Sequence, residues 1–251
     1  MSICAIIPAA GKGSRLKTKV PKILTPIKGK ITIWDILYEK LYKKVDAINV
    51  VLNPITSRLY EHIFTNKWHN ISLSIQEKPI GMGDAIFSGY NIWSNYDNII
   101  IIWGDQVHVS NNTLTNVMRI HNKMNGSNIT LPLTRLKHPY VEYKFDKQKD
   151  KSLDCIYESR EGDHCTSNGL SDIGVFLLNT NKLINYWHMY LKFSNVGALS
   201  KEINFLPFLV FLSKKDWKIE KYIVKDSTEA KGINTPEDLD YFKRLYKRTE
   251  S

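Results

Sequence analysis

Short apolar runs alternate along this chain with stretches in which apolar residues recur every three or four positions. Residues 3–8 (I-C-A-I-I-P) form an uninterrupted apolar run closed by turn residues, the mark of a strand buried on both faces. Residues 32–44 carry a helical stripe, opened by Thr32 with Asp35 three positions on, a pattern that caps a helix start. A strand over 46–53, a helix over 56–66, a strand over 71–76, a helix over 83–93 and a strand over 99–103 continue the alternation. Such an order predicts an α/β fold with a mostly parallel sheet and helices on both faces. Ligands of such sheets lie in the crevice outside the carboxyl ends of the strands.

Beyond residue 135 the alternation weakens. Residues 140–146, 153–158 and 172–178 read as strands separated by turns, followed by helices over 180–190 and 201–213 and a strand over 217–224. The last helix is announced by Thr235 as cap, Pro236 in the first turn and Glu237 and Asp238 against the dipole, which leaves Asn234 in a loop. No repeat or change of composition divides the 251 residues, so a single domain is expected over 1–251.

The formal charge of +10 raises the question of nucleic acid, but the lysines are scattered and no aromatic-interleaved basic stripe accompanies them. A basic surface also concentrates small anionic substrates. The expected partners are therefore small molecules, with neither nucleic acid nor membrane. The apolar start lacks a basic leader and a small-residue cleavage site, and the apolar stretch at 203–212 is too short to span a bilayer. Cys4, Cys155 and Cys165 are an odd, sparse set without a C-x-x-C pair, which suits a reducing compartment, and the expected location is the cytoplasm. Oligomeric state is not legible.

Candidate chemistry begins where the first apolar run ends. Ala9, Ala10, Gly11, Lys12 and Gly13 lead to Arg15, and Pro21-Lys22 follows. Two glycines allow backbone N–H groups to close on a phosphate, and Lys12, Arg15 and Lys22 add positive charge. The spacing excludes a dinucleotide fingerprint, because Leu16 stands at the third glycine position, and it excludes a P-loop.

The string A-A-G-K-G-S-R-L…P-K-I-L resembles the signature A-A-G-x-G-T-R-M…P-K-x-L of nucleotidyltransferases that make nucleotide sugars, in particular the uridylyltransferase domain of N-acetylglucosamine-1-phosphate uridylyltransferase. Three further stretches match in order: Q-E-K-P-I-G-M-G-D-A (76–85) resembles the base-reading segment, I-I-I-I-W-G-D (99–105) the strand ending in a metal-binding Gly-Asp, and E-A-K-G-I-N-T (229–235) the late segment whose Asn completes the metal site.

The resemblance implies a Rossmann-like, nucleotide-diphospho-sugar transferase-like fold with a β-rich acceptor portion. Residues 1–135 would form the nucleotide-binding half, and residues 136–251 the acceptor half with the late metal ligand. It implies transfer of a nucleoside monophosphate from a nucleoside triphosphate, UTP first, to a phosphorylated acceptor such as a sugar 1-phosphate, with release of pyrophosphate. Arg15 and Lys22 would be catalytic, and Asp105 and Asn234 would hold Mg²⁺. Ala9, Ala10, Gly11, Lys12, Gly13, Gln76, Gly81, Met82 and Gly83 would bind nucleotide, and Tyr143, Glu158, Asp172 and Gly174 the acceptor.

The chain departs from the pattern in places. Met82 and Asp84 replace the usual Thr and His, which opens a CTP-dependent alternative with a non-sugar phosphate or phosphonate acceptor; a non-catalytic nucleotide-binding module is a more distant reading. Val141-Glu142-Tyr143 stands for a G-Y-G loop, and Asp172 for a sugar-contacting Asn. Carboxylates cluster in this half, and Glu161 and Asp163 read as a solvated loop. Hexapeptide repeats are absent from the sequence, so acetyl transfer is not expected of it.

Overall fold

A computed structural model describes residues 1–11, 13–18, 20–65, 70–123, 128–146, 148, 152–193 and 196–248. In chain order the strands are β1 (Ile3–Pro8), β2 (Pro26–Lys28), β3 (Ile31–Thr32), β4 (Ala47–Leu52), β5 (Ile71–Ile75), β6 (Asn98–Ile102), β7 (Ile129–Leu136), β8 (Val141–Phe145), β9 (Leu153–Glu158), β10 (Gly169–Asp172), β11 (Val175–Asn179) and β12 (Ile219–Ile223). The helices are α1 (Ile33–Leu41), α2 (Pro54–Thr65), α3 (Met82–Ser88), α4 (Tyr90–Trp93), α5 (Asn111–Lys123), α6 (Leu183–Phe193), α7 (Leu206–Ser213) and α8 (Pro236–Arg248).

The main sheet runs β10-β7-β11-β6-β1-β4-β5, with β12 also paired to β7. Neighbours β5, β4, β1 and β6 are parallel, β12 is parallel to β7, and β10 and β11 run antiparallel to their partners. Alternation along the apolar strands sends successive side chains to two cores. Ile3, Ala5 and Ile7 of β1 join Ile100 and Ile102 of β6 in one, with Trp34, Val117 and Phe242 from α1, α5 and α8. Cys4 and Ile6, with Ile99 and Ile101, face the other, which holds Ile86, Trp187 and Phe208 from α3, α6 and α7. Apolar runs with no polar alternation are thus the consequence of a sheet covered on both sides.

The Thr32 cap is present as a reciprocal capping box with Asp35. Other boundaries moved for local reasons. The helix expected over 83–93 breaks at Gly89, where a Cβ would lie 2.6 Å from Asn49 Oδ1. The strand expected over 172–178 is two strands, because Gly174 adopts φ +74° and its N–H turns back to Asp172 Oδ1 at 2.8 Å. Helix α5 and strand β7 escape the periodicity. The buried stripe of α5 includes Thr113 and His121, and β7 contains Pro132.

Candidate active site

Parallel pairing of β5, β4, β1 and β6 brings their carboxyl ends to one edge of the sheet, and a cleft of about 680 Å³ opens there. The segment after β1 supplies Ala9, Gly11, Gly13 and Arg15 to its wall, and the turn after β6 supplies Trp103, Gly104 and Asp105. Lys22 opens a short 3-10 turn (Lys22–Leu24) anchored by buried Ile23 and Leu24. From the far end of the chain, Gly232 and Asn234 complete this side. Ile233 donates its N–H to Asp105 O at 3.2 Å, and the Asn234 and Thr235 amides both donate to Asp238 Oδ2 at 3.0 Å. Asp238 N–H returns a bond to Thr235 Oγ1, so the loop before α8 is locked by its own cap.

This brings together the four residues expected to carry the chemistry. Lys22 Nζ donates to Asp105 Oδ2 at 2.6 Å and to Asn234 Oδ1 at 3.1 Å, and Arg15 Nη2 donates to the same Asn234 oxygen at 3.3 Å. Two oxygens from segments more than a hundred residues apart therefore converge on one cation, with the Lys22 ammonium as its stand-in. Among the described residues no cluster of three or more His, Cys, Asp or Glu could cage a metal by itself. A two-oxygen site that leaves its remaining positions to water and phosphate is what Mg²⁺ accepts, so the donor set fits that ion.

The opposite end of the cleft is made by antiparallel pieces. Glu158 at the end of β9, Asp172 at the kink between β10 and β11, and Arg160, Glu202, Asn204, Tyr140 and Val141 line it. Glu158 is only 7 % exposed. Burial, only partly countered by Arg160, and the neighbouring Glu161, Asp172 and Asp163 carboxylates raise its pKa to about 7. Burial likewise raises Asp172, against bonds from Gly174 N–H and from the Tyr143 hydroxyl at 3.2 Å.

Several expected contacts become supports. Tyr143 is 2 % exposed in the core and reaches the cleft only through Asp172. Gly174 is packed against Gln106 and Trp103. Gln76 is buried, its Nε2 donating to Gly81 O and Asp84 Oδ2, both at 2.9 Å. Gly83 donates its N–H to Ile203 O and packs beneath Trp187, and Ala10 is buried. Tyr143, Gly174, Gln76, Gly81, Gly83 and Ala10 are thus not among the described residues lining the cleft, whereas Met82, Glu158 and Asp172 are. Lys12 lies outside the described residues.

Glu161, expected in a solvated loop, is instead a hub. It accepts from Leu199 N–H at 2.9 Å, Ser200 N–H at 3.2 Å and Asn204 Nδ2 at 2.9 Å. Although burial opposes it, these bonds hold its carboxyl down to about 2. Asp163 accepts the Glu158 amide at 2.9 Å. Arg160, Glu202 and Asn204 were not singled out in the sequence; the one available signal was Arg160 as the lone cation within E-S-R-E-G-D.

A family profile described as a MobA-like NTP transferase domain matches residues 5–147. The bifunctional protein GlmU of Aquifex aeolicus (strain VF5) is 27 % identical over 247 residues, covering 94 % of this chain and 51 % of that protein. The GlmU of Buchnera aphidicola subsp. Schizaphis graminum is 23 % identical over 248 residues, covering 99 % and 52 %. The chain therefore spans about half the length of these curated relatives. Among solved structures, 4-diphosphocytidyl-2C-methyl-D-erythritol synthase from Anaerococcus prevotii superposes with a TM-score of 0.68 at 15 % identity, covering 98 % of this chain and 96 % of its own. A CMP:2-keto-3-deoxy-manno-octonic acid synthetase complexed with CTP gives 0.71 at 14 % identity, covering 99 % and 100 %. These two establish the nucleotidyltransferase fold, and among the described residues no helix is long and apolar enough to cross a membrane. Since the family profile covers more than half of the sequence, the chain belongs to the MobA-like NTP transferase domain family and is a nucleotidyltransferase.

Proposed function

We propose that the protein transfers a nucleoside monophosphate from a pyrimidine nucleoside triphosphate, UTP in the first reading, to a phosphorylated small molecule such as a sugar 1-phosphate. The observation that supports this most directly is the meeting of Arg15, Lys22, Asp105 and Asn234 at the glycine-loop end of the cleft. An oxygen of the acceptor phosphate forms a bond to the α-phosphorus while the bond from that phosphorus to the β-phosphate bridging oxygen breaks. Pyrophosphate leaves with the electron pair. Both reactants are anions, so the main tasks are to align them and offset their charge.

Lys22 and Arg15 face the phosphates, and Gly11 and Gly13 line the same wall. Asp105 and Asn234 would hold a Mg²⁺, which when bound neutralises phosphate charge and orients the oxygens. In that arrangement Lys22 releases the two oxygens and turns its ammonium to phosphate. Glu158 and Asp172 face the rest of the acceptor.

A second reading, with CTP as donor, is supported by Met82 and by Asp84, whose carboxylate holds the Gln76 amide at the base end. The test is pyrophosphate release with UTP, CTP, ATP, GTP and dTTP against a panel of phosphorylated acceptors, with and without Mg²⁺. Metal-dependent release with one pyrimidine nucleotide is expected. Silence across the whole matrix from a folded, nucleotide-binding protein would refute the reading.

A further inference from the structure

The two ends of the cleft differ in charge. At the phosphate end Arg15 and Lys22 outnumber Asp105 among the described lining residues, whereas at the other end Glu158, Asp172 and Glu202 surround a single cation, Arg160. That cation is already engaged. Arg160 Nη2 donates to Glu202 Oε2 at 2.6 Å, and its Nε lies 3.5 Å from Glu161 Oε1. The Glu158 carboxylate, more than nine-tenths buried and lining the cleft, has no hydrogen-bond or ion-pair partner among the described residues. Its backbone is bonded instead, the N–H donating to Asp163 Oδ2 and the carbonyl accepting the Asp163 N–H. Asp172, a few residues along the opposing wall, receives only the Gly174 amide and the Tyr143 hydroxyl, neither of which carries charge.

A buried carboxylate without a partner is costly, and burial of two near one another is costlier. Hydroxyls of an uncharged acceptor would supply hydrogen bonds but leave the charge uncompensated. An ammonium group supplies both. The same end presents aromatic faces: Tyr140 is exposed to the cleft, and Trp103 is held beside it by packing on Phe176 and Phe205. Aromatic rings beside carboxylates are the combination that favours organic cations.

We propose that the acceptor is a phosphate or phosphonate carrying a protonated or quaternary amine, whose phosphate lies at the Lys22 end while its ammonium is received by Glu158 and Asp172 with Trp103 and Tyr140. This rests on the nucleotidyl-transfer reading above and names its substrate class. Burial and the neighbouring carboxylates raise the proton affinity of Glu158, and binding the ammonium would draw the carboxyl into its ionised form.

The experiment compares matched acceptors that differ in the cation. Glucosamine 1-phosphate is set against N-acetylglucosamine 1-phosphate, and phosphocholine and phosphoethanolamine against glycerol 3-phosphate, with UTP and with CTP, reading kcat/KM for pyrophosphate release. The cationic member of at least one pair should be preferred by about tenfold or more. Glu158→Gln and Asp172→Asn should each shrink that preference severalfold, chiefly through KM for the cationic acceptor, while KM for the nucleotide holds. Turnover confined to uncharged acceptors, or a preference unchanged in both variants, overturns the cationic-acceptor proposal and leaves nucleotidyl transfer standing. No pyrophosphate release with any acceptor and any nucleotide overturns both. The wild-type preference needs no variant, so misfolding of either substitution cannot mask the answer.

Discussion

The phosphate end and the acceptor end of the cleft solve opposite electrostatic problems. At the phosphate end positive charge is in excess: the Lys22 ammonium pairs with Asp105 and also reaches Asn234, while Arg15 bonds only the neutral Asn234 amide. At the acceptor end Arg160 is spent on Glu202 and Glu161, and the Glu158 carboxylate has no hydrogen-bond or ion-pair partner among the described residues. The contrast follows from how the chain builds each wall. Parallel strands deliver the phosphate residues together by topology, through short loops. The acceptor wall is an added β8-β9 hairpin, a kinked β10-β11 pair and the loop before α7, whose side chains can vary without disturbing the sheet. A preorganised cationic site suits phosphate chemistry shared among many substrates, and an anionic one suits selection of a particular acceptor.

Removing Asp105 should break this contrast most severely. Asp105→Ala is expected to lower kcat for pyrophosphate release by about three decades or more, since it deletes a proposed metal ligand and leaves Lys22 without its partner. Melting temperature should change little, because the Asp105–Lys22 pair is partly solvated. Wild-type turnover of this variant in EDTA would remove the metal from the phosphate end altogether.

Arg15→Ala and Lys22→Ala should each cost about two to three decades in kcat, the usual worth of a preorganised donor at a transferring phosphate. A loss seen only in nucleotide KM would make these residues ground-state binders instead.

At the acceptor end the measurement moves from rate to stability. Folding raises the Glu158 pKa from the ordinary 4.5 to about 7, so the native state takes up the proton more readily than the unfolded chain. The native state is then unaffected by this group below pH 4.5 and loses stability as pH rises through 7. By 1.36 kcal/mol per pKa unit the deficit reaches about 3 kcal/mol above pH 7. Glu158→Gln should therefore raise stability at pH 8 and leave it nearly unchanged at pH 4, as read by urea melts at both values. Equal effects at the two pH values would mean that Glu158 is solvated and the acceptor end is not unbalanced.

Glu161 should behave in the reverse sense. Its carboxyl is held at about 2, so its contribution is present above about pH 4.5 and disappears as pH falls toward 2. Glu161→Ala should cost about 1–3 kcal/mol at pH 7, the worth of hydrogen bonds to a charged group. It should also raise acceptor KM more than nucleotide KM by loosening the segment that carries Glu202 and Asn204. An effect on stability with acceptor KM untouched would restrict Glu161 to a structural part.

Much of the phosphate end was legible in the sequence because its determinants are local. A strand, a glycine turn and a basic residue are contiguous in residues 3–22, the Gly-Asp directly follows the apolar run of β6, and the Asn directly precedes the cap signal of α8. The acceptor end was less legible because its partners are remote. Nothing in E-S-R-E-G-D says that the Glu161 carboxylate will accept bonds from residues 199–204 while the Glu158 carboxylate is buried without a hydrogen-bond partner among the described residues, and that difference creates the pKa contrast. Gln76 falls in the segment that resembles the base-reading stretch, but Asp84, in the first turn of α3, takes up its amide. Helix α5 was missed because Thr113 and His121 fill buried positions, the latter bonded to Thr130 and Asn98, where periodicity looks for apolar residues.

Ile203 joins the two ends through its main chain alone. Its N–H donates to Ile80 O at 2.6 Å and its carbonyl accepts Gly83 N–H at 3.0 Å, while Gly81, at φ +134°, has no room for a Cβ against it. The clasp itself needs only the main chain of Ile203, whose side chain packs on the core beside α3, α6 and α7, so an apolar residue there and the spacing around it are what the clasp requires. A chimera that imports the acceptor wall of a relative must therefore carry residues 78–83 and 196–205 as one inherited block, since a single-residue insertion in either would offset the two halves of the cleft against each other.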